Sequence, residues 1–140
     1  MENNKVDLFL LNKGGLFPDA QLPLLRDLLT KADEDKWPPV FSASFRNPTT
    51  ALILSITVGT YGADRFYLGQ PLLGIGKLLV TILFFIWLLT IEFIDEEGWF
   101  IFFTGLAMGP VLVLWYFIDI FLVSRLAKKQ NLNILLTLLN

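Results

Sequence analysis

The sequence contains neither histidine nor cysteine. Histidine is the commonest general base and metal ligand, and cysteine supplies thiolate nucleophiles, metal ligands and disulfides. Their absence argues against an enzyme, so we expect no catalytic residue, no metal site and no cofactor. The chain also lacks a basic tract, and its net charge of −2 offers no electrostatic footprint for nucleic acid.

Charge is scarce in the middle of the chain. Residues 1–48 hold thirteen of the twenty-four charged side chains, six basic and seven acidic, whereas residues 49–124 hold eight. The hydrophobic content of 54% also exceeds the usual globular balance. The pattern predicts an all-α integral membrane protein, with a soluble N-terminal segment at 1–46 and a membrane domain at 47–124.

Three apolar helices are predicted in the membrane domain, at about 49–63, 71–91 and 99–124. Asn47 is suited to the N-cap of the first helix and Pro48 to its first turn. The first helix provides only about 21 Å of apolar length, against about 30 Å of hydrocarbon. It therefore either extends further or enters the membrane part way, whereas the other two are long enough to span.

The distribution of charge beside these helices predicts their orientation. The loop at 92–98 has four acidic residues and no basic one, while the tail at 125–140 has three basic residues among its first five. Because basic residues favour the cytoplasmic side, we expect a cytoplasmic tail, with the turn at 64–70 on the same side of a cell or plasma membrane. The side of the N-terminal segment stays open.

Leucine stripes with helical spacing occur near both ends of the chain. The first predicts a short amphipathic helix that ends before Trp37-Pro38-Pro39, and the second makes the tail amphipathic. The short amphipathic helix could pack on its own protein or lie in the lipid interface, and the tail could pack on the first stripe. The stripes are Leu22, Leu25 and Leu29, and Leu132, Leu135, Leu136 and Leu139.

Small residues recur within the apolar helices. One row of small residues follows the first helix at every fourth position, and a GxxxG pattern at Gly105 and Gly109 precedes Pro110, which predicts a kink in the third helix. Such rows permit close helix approach, either within one chain or in a homo-oligomer. The row in the first helix is Ala51, Ser55, Gly59 and Ala63.

A charged turn, GADRFYLGQ at 62–70, interrupts the apolar region. A charge at mid-membrane costs about 2.5–3.5 kcal/mol, so Asp64 and Arg65 should lie near an interface or be paired. Gly62 allows the backbone to leave the first helix without a Cβ penalty, and Gly69 precedes the restart of the second. The turn could lock a helical hairpin, form a partner- or lipid-binding epitope, or handle ions.

Two further ionisable residues, Lys77 and Asp119, fall inside the apolar helices. If the third helix returns to the face of the turn, Asp119 can contact Arg65 or Lys77. For Lys77 by itself we favour snorkelling, in which the apolar stem is buried and the ammonium reaches the interface.

Several of these features together resemble the two-transmembrane-helix (TM2) domain family. The resemblance covers about residues 47–124 and implies a membrane location and two apolar helices joined by a short turn, with no agreed activity. About 37 residues separate its last two elements here, whereas the family has a short stretch, which suggests an added crossing. The elements are Gly62, Asp64-Arg65-Phe66, Tyr67-Leu68-Gly69, Gly76-Lys77 and Trp115-Tyr116-Phe117-Ile118-Asp119.

Two kinds of function follow. The first is a small multi-pass protein of structural or interaction type, surrounded by the lipid bilayer and able to form homo-oligomers. It would bind a protein partner through its N-terminal segment or its Asp-Arg-Phe turn. The alternative is an oligomeric, channel-like or transport-linked component that places Asp64, Lys77 or Asp119 round a shared axis. The biochemical role itself stays open.

Overall fold

The computed structural model describes residues 2–90 and 98–140, which are helical and contain no β-strand. The prediction of an all-α protein is therefore confirmed. Two compact units divide the chain, one formed by Met1–Thr50 with Ser124–Asn140 and the other by Ala51–Val123. The acidic loop predicted at 92–98 falls, apart from Gly98, outside the described residues.

The first unit contains α1 (Glu2–Lys13), α2 (Leu22–Lys31), α3 (Trp37–Ser42) and the C-terminal part of α7 (Trp99–Leu139). The N-terminal segment thus has three helices where one was predicted. Pro38 and Pro39 lie in the first turn of α3. Proline is tolerated there because the backbone N–H groups of a first turn have no partner within the helix.

An apolar core holds the first unit together. Phe9 of α1 lies at its centre, with four aromatic rings whose centroids are 5.8 to 6.5 Å away. Both leucine stripes contribute to this core, so they pack on their own protein. The fully or nearly fully buried members are Val6, Phe9, Phe17, Leu25, Leu29, Trp37, Val40, Leu132 and Leu135.

The second unit begins within α4 (Pro48–Val58). Asn47 caps this helix, because its Oδ1 accepts a hydrogen bond of 2.9 Å from the N–H of Thr49. The helix ends at Val58, and a 3-10 turn at Gly59–Tyr61 follows, so the predicted helix at 49–63 extends five residues too far. Eleven residues amount to about 17 Å, which is too short to span a bilayer.

The rest of the second unit is α5 (Ala63–Tyr67), α6 (Pro71–Thr90) and the first part of α7. The 20 residues of α6 extend about 30 Å, the thickness of a hydrocarbon core. Helix α7 continues through Pro110 for 41 residues, about 60 Å, so the predicted tail at 125–140 is not a separate element.

Two helices among the described residues are long and apolar enough to cross a membrane, namely α6 and the part of α7 from Phe102 onward. The prediction of three membrane helices is therefore reduced to two candidate spans. Helix α4 is too short to be a candidate span, because its backbone leaves the α-helical path at Gly59.

Candidate functional site

Gly62 produces the sharp turn between α4 and α5. Its φ of +80° is left-handed, a region that glycine enters without the Cβ penalty of other residues. A Cβ at this position would also lie 2.5 Å from the carbonyl oxygen of Gly74 in α6. The turn therefore needs glycine for its backbone conformation and for the close approach of α6. Gly69, with a φ of +70°, makes the second left-handed step before α6.

The turn brings four charged side chains together in the second unit. Asp64 and Arg65 of α5, Lys77 of α6 and Asp119 of α7 have relative exposures of 0%, 8%, 7% and 2%. We call these four residues the charge cluster. Its two acids and two bases carry no net charge, which is the condition under which burying charges is least costly.

The members of the charge cluster are joined in a closed ring of ion pairs. Nζ of Lys77 lies 3.1 Å from Oδ2 of Asp64, and Nε of Arg65 lies 3.6 Å from that same oxygen. Asp119 pairs with Arg65 through Oδ1 and with Lys77 through Oδ2. Oδ2 of Asp119 has no aligned hydrogen bond, so its contact with Lys77 is an ion pair by proximity. Both contacts of Asp119 considered from the sequence are present.

Lys77 does more than pair with acids. Its Nζ donates a hydrogen bond of 3.1 Å to the carbonyl oxygen of Gly59, and the neighbouring Thr81 donates one of 2.7 Å to the carbonyl oxygen of Thr60. Both carbonyl groups belong to the 3-10 turn that follows α4, and that of Gly59 also accepts a hydrogen bond of 3.0 Å from the N–H of Gly62. Lys77 and Thr81 therefore join α6 to this turn, and the snorkelling interpretation of Lys77 is wrong because its ammonium is buried.

The remaining residues of the turn have separate environments. Arg65 donates a hydrogen bond of 3.0 Å to Oε1 of Gln70. The ring of Phe66 covers Gly74 so closely that a Cβ there would lie 2.9 Å from Phe66 Cε2, yet Phe66 stays 45% exposed. Tyr67 is half-buried in the last turn of α5. Of the Asp-Arg-Phe triplet, the two charges face inward and only the ring reaches the surface.

The row of small residues predicted for the first helix begins in α4 and continues through the 3-10 turn to the start of α5. Ala51, Ser55 and Gly59 are buried and Ala63 is half-buried. Ser55 Oγ is buried without a hydrogen-bond partner, and it would lie 3.4 Å from a Cβ at Gly59. The row thus contributes to packing within this chain.

In the GxxxG pattern of α7, each glycine lies against an aromatic ring of α6. A Cβ at Gly105 would be 1.8 Å from the indole of Trp87, whereas a Cβ at Gly109 would be an ordinary 3.8 Å from Phe84. Gly105 is therefore needed for a close contact between α6 and α7, and Gly109 leaves more room.

Sequence reasoning missed three residues that complete the site. Thr81 and Gly74 lie on the same face of α6 as Lys77, at spacings of four and three residues, and Gln70 lies just before the helix. The signal was available, because buried positions three and four residues apart mark one helix face. In the described part of the chain, no three histidine, cysteine or acidic residues group as metal ligands.

The described residues are mainly helical, include two helices long and apolar enough to cross a membrane, and bury four charges between helices, which is the pattern of a helical membrane protein. Comparison with known proteins narrows this class. Residues 44–93 match the family model of the TM2 domain, so the resemblance predicted from the sequence is confirmed over this stretch. The matched residues include the turn and Lys77 but end before Trp115 and Asp119.

The relatives that match do so over short stretches. TM2 domain-containing protein 3 of Xenopus tropicalis is 51% identical over 51 residues, covering 36% of this chain and 21% of the relative. Its human counterpart is 70% identical over 30 residues, covering 21% and 12%. The Drosophila melanogaster TM2 domain-containing protein almondex is 63% identical over 30 residues, covering 21% and 11%. The chain thus matches about a fifth or less of each relative's length, and no solved structure matches it.

Proposed function

We propose that this protein is a membrane component of structural or interaction type, in which the charge cluster holds α5, α6 and α7 in one fixed arrangement. The observation that supports this most is the ring of ion pairs. Each acid of the ring faces two bases, and the four side chains come from three helices.

The energetics favour a structural role for the charge cluster. Burying an ion pair gains little over apolar packing, but removing one partner of a buried pair typically costs about 3–5 kcal/mol. A neutral, closed ring is therefore a specificity device, since any arrangement of the helices that separates the four charges leaves some of them unpaired in a poorly solvated place.

The partners that we propose follow from which surfaces stay exposed. The apolar sides of α6 and α7 would contact the lipid bilayer, with the tail cytoplasmic according to its basic residues. Because Phe66 is the exposed member of the triplet, a protein partner at the turn would bind this ring. The three-helix N-terminal segment is a second candidate surface. A homo-oligomer would use other faces, because three members of the small-residue row, Ala51, Ser55 and Gly59, are buried.

A channel-like function is less well supported. Asp64, Lys77 and Asp119 pair with one another inside one chain, so additional copies are not needed to satisfy them. We expect that the protein reconstituted in liposomes shows no ion flux above that of empty vesicles. Flux that is abolished by Asp119→Asn would favour the channel instead.

The test of the proposed role compares two identical substitutions. Asp119→Asn removes one acid and leaves two buried bases with a single carboxylate, so we expect the free energy of unfolding in detergent micelles to fall by about 3–5 kcal/mol. Asp19→Asn is the control. Asp19 also forms an ion pair, at 3.4 Å from Nζ of Lys128, but its side chain is 82% exposed, so losing this pair should change stability little. Equal effects of the two substitutions in a denaturant titration would contradict the proposal.

A further inference from the structure

A groove lies between α6 and α7, next to the 3-10 turn at Gly59–Tyr61. Its volume is about 340 Å³, and its surface is almost wholly apolar. Phe84 and Phe85 of α6 form one wall, and Leu112, Val113 and Trp115 of α7 form the other. The groove is half open to the outside of the unit.

The position of the groove along α6 indicates what surrounds it. It runs from Lys77 to Phe85, which lie about 9 and 21 Å from the start of α6 at Pro71, given a rise of 1.5 Å per residue. If α6 spans a hydrocarbon core of about 30 Å, as the proposed function requires, the groove opens into lipid tails and not into head groups or water.

Three polar side chains at the groove are already engaged, and the rest of its lining is almost wholly apolar. Thr81 donates to the carbonyl of Thr60, Lys77 belongs to the charge cluster, and the hydroxyl of Tyr116 donates a hydrogen bond of 2.7 Å to the carbonyl oxygen of Ile56. A water molecule needs two to four polar partners to occupy a cavity stably. The lining therefore favours an apolar occupant over water or a polar head group.

The width of the groove favours a lipid chain over a helix of a second copy. A helix with its side chains is about 10 Å across, so it would lie over the groove and insert only individual side chains. An acyl chain is thin enough to enter. Because a void this large forfeits dispersion contacts on both walls, filling it with hydrocarbon is favourable.

We propose that this groove binds one acyl chain of a bilayer phospholipid between α6 and α7. The inference depends on the membrane insertion contained in the proposed function. Gly109 is the residue that keeps the groove open, since a Cβ there would meet only the ring of Phe84, at an ordinary 3.8 Å. A larger side chain at position 109 would occupy the space of the lipid chain without a clash.

The test is native mass spectrometry of the full chain in detergent micelles with added dioleoyl phosphatidylcholine. We expect one retained lipid per wild-type chain and at least a tenfold weaker retention for Gly109→Leu. Gly76→Leu is the matched control, because a Cβ at Gly76 has nothing within 4 Å and the residue is not part of the groove, so it should retain lipid as the wild type does. Val113→Phe, which fills the same wall one turn further along α7, should weaken lipid retention likewise and serves as the test if Gly109→Leu fails to fold.

Several results would overturn the proposal. They are a wild-type chain that retains no lipid, groove variants that retain it undiminished, and a dimer in place of the lipid complex. Alkaline carbonate extraction from membranes separates these failures from a failure of the proposed function. A chain that stays in the membrane but retains no lipid would refute only the acyl-chain site. A chain that is extracted would refute both this site and the proposed membrane function.

Discussion

Replacing Gly62 by alanine tests how tightly the turn is built. The left-handed conformation, with φ at +80°, costs a residue with a Cβ about 1–2 kcal/mol. The new Cβ would also lie 2.5 Å from the carbonyl oxygen and 2.9 Å from the Cα of Gly74. These are backbone atoms of α6 and cannot rotate away, so an overpacking cost of about 1–3 kcal/mol adds to the strain.

The expected loss for Gly62→Ala is therefore about 2–5 kcal/mol in the free energy of unfolding. At about 3 °C per kcal/mol for a chain near this size, the melting temperature should fall by roughly 6–15 °C. Thermal unfolding in detergent micelles, followed by tryptophan fluorescence, measures this shift.

Two glycines of α6, Gly76 and Gly74, serve as controls for the substitution at Gly62. Gly76→Ala should be neutral or slightly stabilising, because nothing lies within 4 Å and alanine is about 1 kcal/mol better than glycine in a helix. Gly74→Ala should fall between the two, since the Phe66 ring that it meets at 2.9 Å is a side chain that can move. If Gly62→Ala and Gly76→Ala melt together, the close approach of the turn and α6 is refuted.

The first unit gives two further predictions, both checked by denaturant unfolding in micelles. Phe9→Ala should cost about 3–5 kcal/mol because it empties the centre of the aromatic core, whereas Leu11→Ala in the same helix should change little, since Leu11 is 84% exposed; similar losses would refute that core. Asn131→Asp should cost at least about 2 kcal/mol, because Nδ2 of Asn131 donates to the carbonyl oxygens of Leu16 and Arg46 at 2.9 and 2.7 Å and a carboxylate oxygen there would face both. Asn133 lies two residues further along α7 and is exposed, so Asn133→Asp should be near neutral. Equal losses for Asn131→Asp and Asn133→Asp would contradict the hydrogen-bond assignment.

The site could be predicted from sequence to the extent that its chemistry is local. Adjacent charges in an apolar region must be paired or lie near an interface, and a glycine before them marks a turn, so Gly62, Asp64 and Arg65 stood out. Asp119 was a candidate partner because few other charges are available in the apolar helices.

The parts that were not predictable depend on tertiary contacts. Helix α4 ends at Val58, and the 3-10 turn that follows it is held by Lys77 and Thr81 of α6, which donate hydrogen bonds to the carbonyl groups of Gly59 and Thr60. Nothing in the local pattern of residues 49–63 indicates where those donors will lie. Local composition likewise favoured snorkelling for Lys77, because its acidic partners are 13 and 42 residues away in sequence.

The most direct test of the central claim is a double-mutant cycle on Arg65 and Asp119 in the full chain. Arg65→Gln and Asp119→Asn each unbalance the charge cluster, whereas the double variant keeps one acid and one base, Asp64 and Lys77, and restores neutrality. If the cluster stabilises the hairpin by pairing its charges, the double variant loses less stability than the sum of the two single losses, by a coupling energy of about 1–3 kcal/mol. Losses that simply add in the double variant would show that the two residues act independently, and the account would be wrong.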